Sequence, residues 1–371
     1  MDGAHLSHDH RGDGLAWLAL ALVPGLTPHE ARVLVERFGT PHAVLAAPAA
    51  DLVAAGVTPR VAAAIAEAPR RGRHELAAIA AAGAVLVARD DAAYPAGLRT
   101  IADPPLALTV RGTLAADELA VAVVGARRAS AYGRRIAEEL AGGLAQAGVT
   151  VVSGLAAGID AAAHRAALAA GGRTVAVLGT GIDRTYPSWH AELAAVIARQ
   201  GALVSEFPCG APPLAYHFPR RNRLISGLTR GTIVVEAAEQ SGSLITARHA
   251  LEQGRDVFAV PGPLGTAAHH GPHRLIQQGA KLVTCVEDVL AELGPTLTAR
   301  LTARRVAEAE AALSAAERHV LAALGAEDRH VDDVIRQARL AAAPALELLL
   351  ALELRGLVCQ LPGKRFRRRA A

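Results

Sequence analysis

Arg220, Arg221 and Arg223, with Asn222 among them, occupy four consecutive positions of the stretch HFPRRNRLISGL, His217 to Leu228. A guanidinium holds a phosphate by paired, charge-assisted hydrogen bonds, and an asparagine amide reaches either a phosphate or a base edge. Phe218 adds a flat apolar face on which a base could stack. The arginines follow a loop with four prolines, FPCGAPPLAYHFPRRNR, and precede the helix-like LISGL. Cations at a helix N-terminus oppose the helix dipole, so the pattern favours a compensating anion over a solvated helix start.

Three further stretches have the form strand, small-residue turn, helix, which makes an anion site from free backbone N–H groups. In VAVVGARRASAYG the strand ends at Gly125, the turn carries Arg127, Arg128 and Ser130, and a helix starts near Gly133. It is not a dinucleotide fingerprint, because Arg127 replaces the second glycine of GxGxxG; the arginine suggests a phosphate held by a side chain. In VVSGLAAGIDAAAH the strand runs into Ser153 and Gly154. Ser153, Asp160 and His164 invite comparison with a hydrolase triad, but the nucleophile elbow GxSxG is missing, and Asp160 and His164 are four apart on one helix, where a local pair or cap is expected. In VVEAAEQSGSLITARHAL, Glu236 ends a strand and Ser241, Gly242, Ser243 and Thr246 open a helix, as simple caps or as another phosphate cradle. Four such turns in one sheet favour a shared groove for an anion.

No cofactor and no metal is expected. The loop histidines His269, His270 and His273, and His5, His8 and His10, lack supporting ligands of defined geometry. Cys209, Cys285 and Cys359 form no CxxC, which argues against a zinc site or disulfide framework and fits a reducing cytosol.

The elements that must position these residues follow from length and patterning. At 371 residues, 51% hydrophobic and 20% charged, the chain exceeds one typical domain and buries a large core; with aromatics at 3%, Ala, Val and Leu must build it. A net charge of +4 is too modest over this length to indicate nucleic acid without local clustering. Residues 1–14 are expected to be disordered, and 15–70 to form short helices of a helix-hairpin-helix or sterile-alpha-motif type. Over 74–294, nine short apolar runs alternate with Ala-rich helical stretches, from AVLVA at 84 to KLVTC at 281. Strands apolar on both sides mean an α/β fold, a doubly wound, mostly parallel sheet covered on both faces, with ligands beyond the strands' carboxyl ends. A linker is expected over 295–313, and helix, helix, helix and hairpin over 314–371 read as a winged helix with a basic tail, KRFRRR. Its third helix, APALELLLALELRG, carries Glu347 and Glu353 and only Arg355 at its end, which argues against duplex reading. The apolar run Leu15 to Val23 is too short to span a bilayer and lacks a basic lead-in, so no membrane partner and a cytoplasmic location are expected.

The ordered run GARRAS, SGLAAGIDAAAH, GTGIDRTYP, SEFPCG, FPRRNRLISGL, EAAEQSGSLITARHAL, GRDVFAVPG and LIQQGA resembles the DNA-processing protein A (DprA, or Smf) family. That resemblance implies an extended Rossmann-like core and a non-enzymatic protein of natural transformation and recombination. It also implies that the protein binds and protects single-stranded DNA, forms a homodimer and helps load the RecA recombinase. It assigns the positive pocket to the turn with Arg127 and to Phe218–Arg223. Where family members often carry asparagine after the YP turn and again before LI, this chain has Trp189-His190 and His273. An enzyme reading competes: PGPLGT, Pro261 to Thr266, echoes the PGGxGT of Rossmann-like phosphoribohydrolases, but Ala267, Ala268 and His269 stand where the acid should follow.

Overall fold

The computed structural model describes residues 8–294, 299, 302, 306, 307, 309–325 and 327–368. They fall into two compact units, Met1–Val289 and Leu290–Ala371.

The first unit opens with five helices: α1 His8–Ala21, α2 Pro28–Phe38, α3 Pro41–Ala46, α4 Ala49–Ala54 and α5 Pro59–Ala81. Three begin alike, at Thr27-Pro28, Thr40-Pro41 and Thr58-Pro59. Each threonine hydroxyl accepts a backbone N–H of the first turn, and proline takes the first helical position, where its missing donor costs nothing. Two boundaries differ from the sequence expectation. His8–Gly14 form the start of α1, whereas residues 1–7 lie outside the described residues. And α5 runs unbroken through 70–74, so the helices and the sheet share one body instead of meeting at a linker. The reason is packing: Trp17, Leu20, Leu34, Ile65 and Ala68 bury against Ala88 and Leu106 of the sheet region, and Trp17 Nε1 donates to Asp90 at 2.7 Å. Gly72 of α5 lets α1 approach, since a Cβ there would lie 3.0 Å from that of Ala19.

The sheet contains β1 Val85–Ala88, β2 Ala107–Gly112, β3 Ala120–Val124, β4 Thr150–Ser153, β5 Thr174–Val177, β6 Ala202–Ser205, β7 Gly231–Val234, β8 Asp256–Ala259 and β9 Lys281–Leu282. These are the nine apolar runs of the sequence. Their order is β1-β2-β6-β5-β4-β3-β7-β8-β9, with β3 to β9 parallel to one another and β2 antiparallel both to β6 and to the edge strand β1. β3 to β7 are buried at every position, as expected of strands covered on both faces. Between the strands lie α6 Ala96–Arg99, α7 Ala131–Gln146, α8 Ile159–Ala169, α9 Ala191–Gln200, α10 His217–Gly227, α11 Gly242–Glu252 and α12 Ala267–Gln277, followed by α13 Val286–Leu293. One face packs Leu178, Leu203 and Ala176 against α8 and α9; the other packs strand positions such as Ala122, Val124, Val152 and Val177 against Leu98, Leu224, Ile225, Ala247 and Leu275.

The second unit holds α14 Ala315–Leu324, α15 Val331–Ala338, α16 Ala342–Leu354 and a three-stranded sheet of β10 Arg329–His330, β11 Val358–Leu361 and β12 Arg365–Arg368, ordered β10-β12-β11. Val320, Leu324, Val334, Leu349, Leu352, Val358 and Phe366 form its core, the winged-helix arrangement. Most of the expected linker 295–313 lies outside the described residues.

Candidate functional site

β3 has β4 on one side and β7 on the other. The chain winds from β3 through β4 and β5 to β6, then returns to β7 and winds outward to β9. The connections after β3 and β7 therefore leave in opposite directions and open a crevice at the carboxyl ends, where doubly wound sheets place their ligands. A hollow of about 520 Å³ lies there. Of the sequence candidates it is lined by Gly125 and Arg127, by Phe218, Arg221 and Asn222, and by Ser241, Gly242, Ser243 and Thr246.

Two guanidiniums converge on the hollow in different ways. Arg127 is exposed, makes no hydrogen bond or ion pair among the described residues, and lies 5.1 Å over the Phe218 ring. Arg221 is 4% exposed; its Nη1 donates to Gly154 O at 3.0 Å and to Val177 O, and its Nε to Asn222 Oδ1 at 3.2 Å. Burial pulls its pKa down to about 10, against the attraction of Asp160, so it stays charged at neutral pH. Asp160 lines the floor and accepts the amides of Gly154 at 3.1 Å and Ala156 at 3.3 Å. Its pKa is raised by burial, with Arg221 and these amides opposing. Gly154 is required by this contact: a Cβ there would lie 2.5 Å from Arg221 Nη2 and 2.9 Å from Asp160 Oδ2. The open helix end is that of α11. Ser241 caps it, Ser241 Oγ and Ser243 Oγ share a hydrogen bond of 2.7 Å, and a Cβ on Gly242 would meet nothing within 4 Å. Asn222 Nδ2 donates to Gly242 O at 3.1 Å and ties α10 to this end.

The other candidates do not line the hollow. Ser130 caps α7 and gives both its N–H, at 3.0 Å, and its hydroxyl, at 2.5 Å, to Glu236, whose carboxylate is fully buried. The anion at that helix N-terminus is thus the protein's own, and Gly133 makes room for it, since a Cβ there would lie 2.3 Å from Glu236 Cδ. Ser153 is buried and donates to Val123 O at 2.6 Å, and Arg128 is exposed outside the hollow. Arg223 is buried against Glu206 at 2.5 Å and lies 3.3 Å from Asp103; Arg220 reaches the same Glu206 at 3.5 Å. The arginines lie within α10, which begins at His217. On a helix, positions 220 and 223 share a side and 221 does not. That periodicity divides the cluster.

The triad is excluded by geometry. His164 is fully buried, takes no part in the hollow, and binds Thr174 Oγ1 through Nδ1 at 2.7 Å. Because Thr174 donates its hydroxyl hydrogen to Val151 O, His164 Nδ1 carries the proton and the buried Nε2 has no partner among the described residues. Burial, with His190 and Arg221 nearby, pushes its pKa down to about 3. With the folded value below the unfolded one, the contribution of this group to stability is full above about pH 6.5 and declines as pH falls toward 3. Melting temperatures over that window should fall less steeply for His164→Gln than for the parent chain.

Sequence reasoning passed over Tyr186, whose ring packs 5.5 Å from Phe218 at the hollow's edge. It lies in GTGIDRTYP, a turn with no aromatic pattern to mark it. Among the described residues no group of three or more His, Cys, Asp or Glu is placed to hold a metal, and no helix is long and apolar enough to cross a membrane. In the second unit two cations of the hairpin are held by carboxylates, Arg367 by Asp328 and Arg368 by Glu310 at 2.5 Å, while Arg355 of α16 meets Glu317 at 3.3 Å. Arg369, the end of the basic tail, lies outside the described residues.

Residues 85–294 match the family model for DNA recombination-mediator protein A, and residues 305–364 match that of the DprA winged helix domain. Protein Smf of Escherichia coli is 47% identical over 77% of this chain and 78% of its own length, and DNA processing protein DprA of Streptococcus pneumoniae is 49% identical over 54% of this chain and 72% of its own. The X-ray structure of the S. pneumoniae protein covers 74% of this chain and 95% of its own, at TM-score 0.65 and 39% identity. That of DNA processing protein A from Helicobacter pylori, described with a unique single-stranded DNA binding mode, covers 57% and 95%, at TM-score 0.50 and 28% identity. With its sheet and its winged helix both matched and nearly half of its residues shared with a relative over three quarters of its length, the chain belongs to the DNA recombination-mediator protein A family.

Proposed function

We propose that the hollow at the switch point grips the sugar-phosphate backbone of single-stranded DNA with little regard to sequence, as a binding site and not an active site. The observation that carries this reading is the convergence of an unpaired guanidinium, Arg127, a buried one, Arg221, and the open N-terminus of α11 on one cavity. Phosphate contacts fix a strand's position without reading its bases. The H. pylori relative, described as binding single-stranded DNA, supports the same kind of ligand here. The groups at the hollow are donors and cations, and its one carboxylate among the described residues, Asp160, is already engaged by two amides. As part of the same reading, the chain works in the cytoplasm as a homodimer that shields incoming strands and passes them to the RecA recombinase; family membership supports this, and no surface is assigned to either contact.

Two guanidiniums and one helix end neutralise two or three phosphates, so the affinity of the full chain for oligo-dT should fall with salt at a log-log slope of about −1.5 to −2. A fluorescence-anisotropy titration at several salt concentrations, run beside a duplex of equal length, measures it. A salt-independent affinity, or a preference for the duplex, would refute the reading. Release of free base from nucleoside monophosphates would favour the phosphoribohydrolase alternative.

A further inference from the structure

We propose that Trp189 and Tyr216 form a base-stacking rim at the mouth of the hollow, so that a strand held by its phosphates is also held by its bases; this rests on the single-strand reading above. The chain has two Trp, four Tyr and five Phe, and among them only Tyr186, Trp189 and Tyr216 are exposed, at 43%, 75% and 65%. All three stand in connections that follow the carboxyl ends of β5 and β6, the end of the sheet at which the hollow lies. Tyr186 lines it; Trp189 is three residues further along the same connection, and Tyr216 stands between Ala215 and Phe218, which line it too. A single exposed aromatic calls for no explanation, but confinement of every exposed Trp, Tyr and Phe ring to two connections at one end of the sheet does.

Both rings are carried by anchored neighbours. His190, 4% exposed, binds Leu155 O through Nδ1 at 2.9 Å and fixes the turn that projects Trp189 outward. His217, 7% exposed, stacks on Phe207 at 4.0 Å and binds Gly179 O through Nδ1 at 3.2 Å, while the Tyr216 ring meets it edge-on at 4.7 Å. The rings are thus presented from rigid supports, which lowers the ordering cost of binding. Phe218 is less available than its sequence suggests, because Arg127 lies over its ring and Tyr186 packs beside it. Stacking moves outward, to the exposed rings. Every base has a flat π-face, so such a rim holds a strand without choosing its sequence.

The chain supplies its own probe. Trp17, the second tryptophan, is 3% exposed and hydrogen-bonded to Asp90, so a change in tryptophan emission on adding unlabelled strand reports Trp189. The experiment titrates the full chain with dT20 and with an abasic strand of the same length, following emission and, with labelled strands, anisotropy. Emission should be quenched by dT20 and not by the abasic strand. Trp189→Ala should abolish the quench and weaken dT20 binding by about 5- to 50-fold, while leaving the abasic affinity unchanged. Its salt slope should also stay the same, because a neutral ring releases no counterions. Trp189→Phe should retain most of the affinity, and Tyr216→Ala should deepen the loss. Unquenched emission while anisotropy shows dT20 bound would overturn the rim alone and leave the phosphate grip standing. So would an equal loss on both strands. Failure of the parent chain to bind dT20 at all would end both proposals.

Discussion

Replacing Arg127 by alanine should weaken oligo-dT binding by about tenfold to a hundredfold, the range of one charge-assisted hydrogen-bonded contact, and reduce the salt slope by about 0.7. The melting temperature should not move. The side chain is exposed and meets the Phe218 ring, so its loss breaks no internal hydrogen bond among the described residues. Arg221→Ala should behave differently although it faces the same hollow. Removing that guanidinium strips Gly154 O and Val177 O of a donor and leaves the buried Asp160 carboxylate without its neighbouring cation, a cost of about 2–4 kcal/mol. Affinity and stability should then fall together. Thermal melts run beside anisotropy titrations separate the two; equal destabilisation by both variants would show that Arg127 is not held free for a ligand.

Arg223→Ala should cost about 3–5 kcal/mol of stability and leave the salt slope of DNA binding untouched, the reverse of what its place in the PRRNR run suggests. Arg223 and Glu206 are 8% and 3% exposed at the side chain and meet at 2.5 Å, so removing either strands the other in the interior. The pair is also imperfect, since Glu206 Oε1 and Arg223 Nη1 are buried without a hydrogen-bond partner among the described residues. A buried pair of this kind is replaceable by apolar side chains of similar volume with little loss. Arg223→Met with Glu206→Leu should therefore recover much of the stability lost in either single variant. The remaining neighbours, Arg220 and Asp103, are 51% and 46% exposed and keep their hydration. Denaturant melts of the single and double variants measure the coupling; a double variant as unstable as the sum of the singles would contradict it.

The nine strands were legible because a strand buried on both faces must be apolar throughout, and runs such as VAVV and TVAV admit little else. The start of α10 was not: proline and arginine at 219–221 look like a loop, yet Pro219 stands within its first turn, where a missing N–H is harmless. The join of α5 to the sheet was equally hidden, since Pro69 reads as a stop and only the packing of α1, α5 and β1 shows that the helix passes through it.

The sequence alone determined which residue types could meet a phosphate, the order of the elements that carry them, and the family to which they belong. Local patterning suffices for these, because strand burial, capping and turn chemistry are written within a few residues. Tertiary structure alone decided which of those residues share a cavity. Glu236 fills the N-terminus of α7, 106 residues along the chain from Ser130, and Glu206 buries Arg223 and reaches Arg220 at 3.5 Å, whereas α11 stays open. A charge's partner is set by distance in space, and no spacing along the chain encodes it.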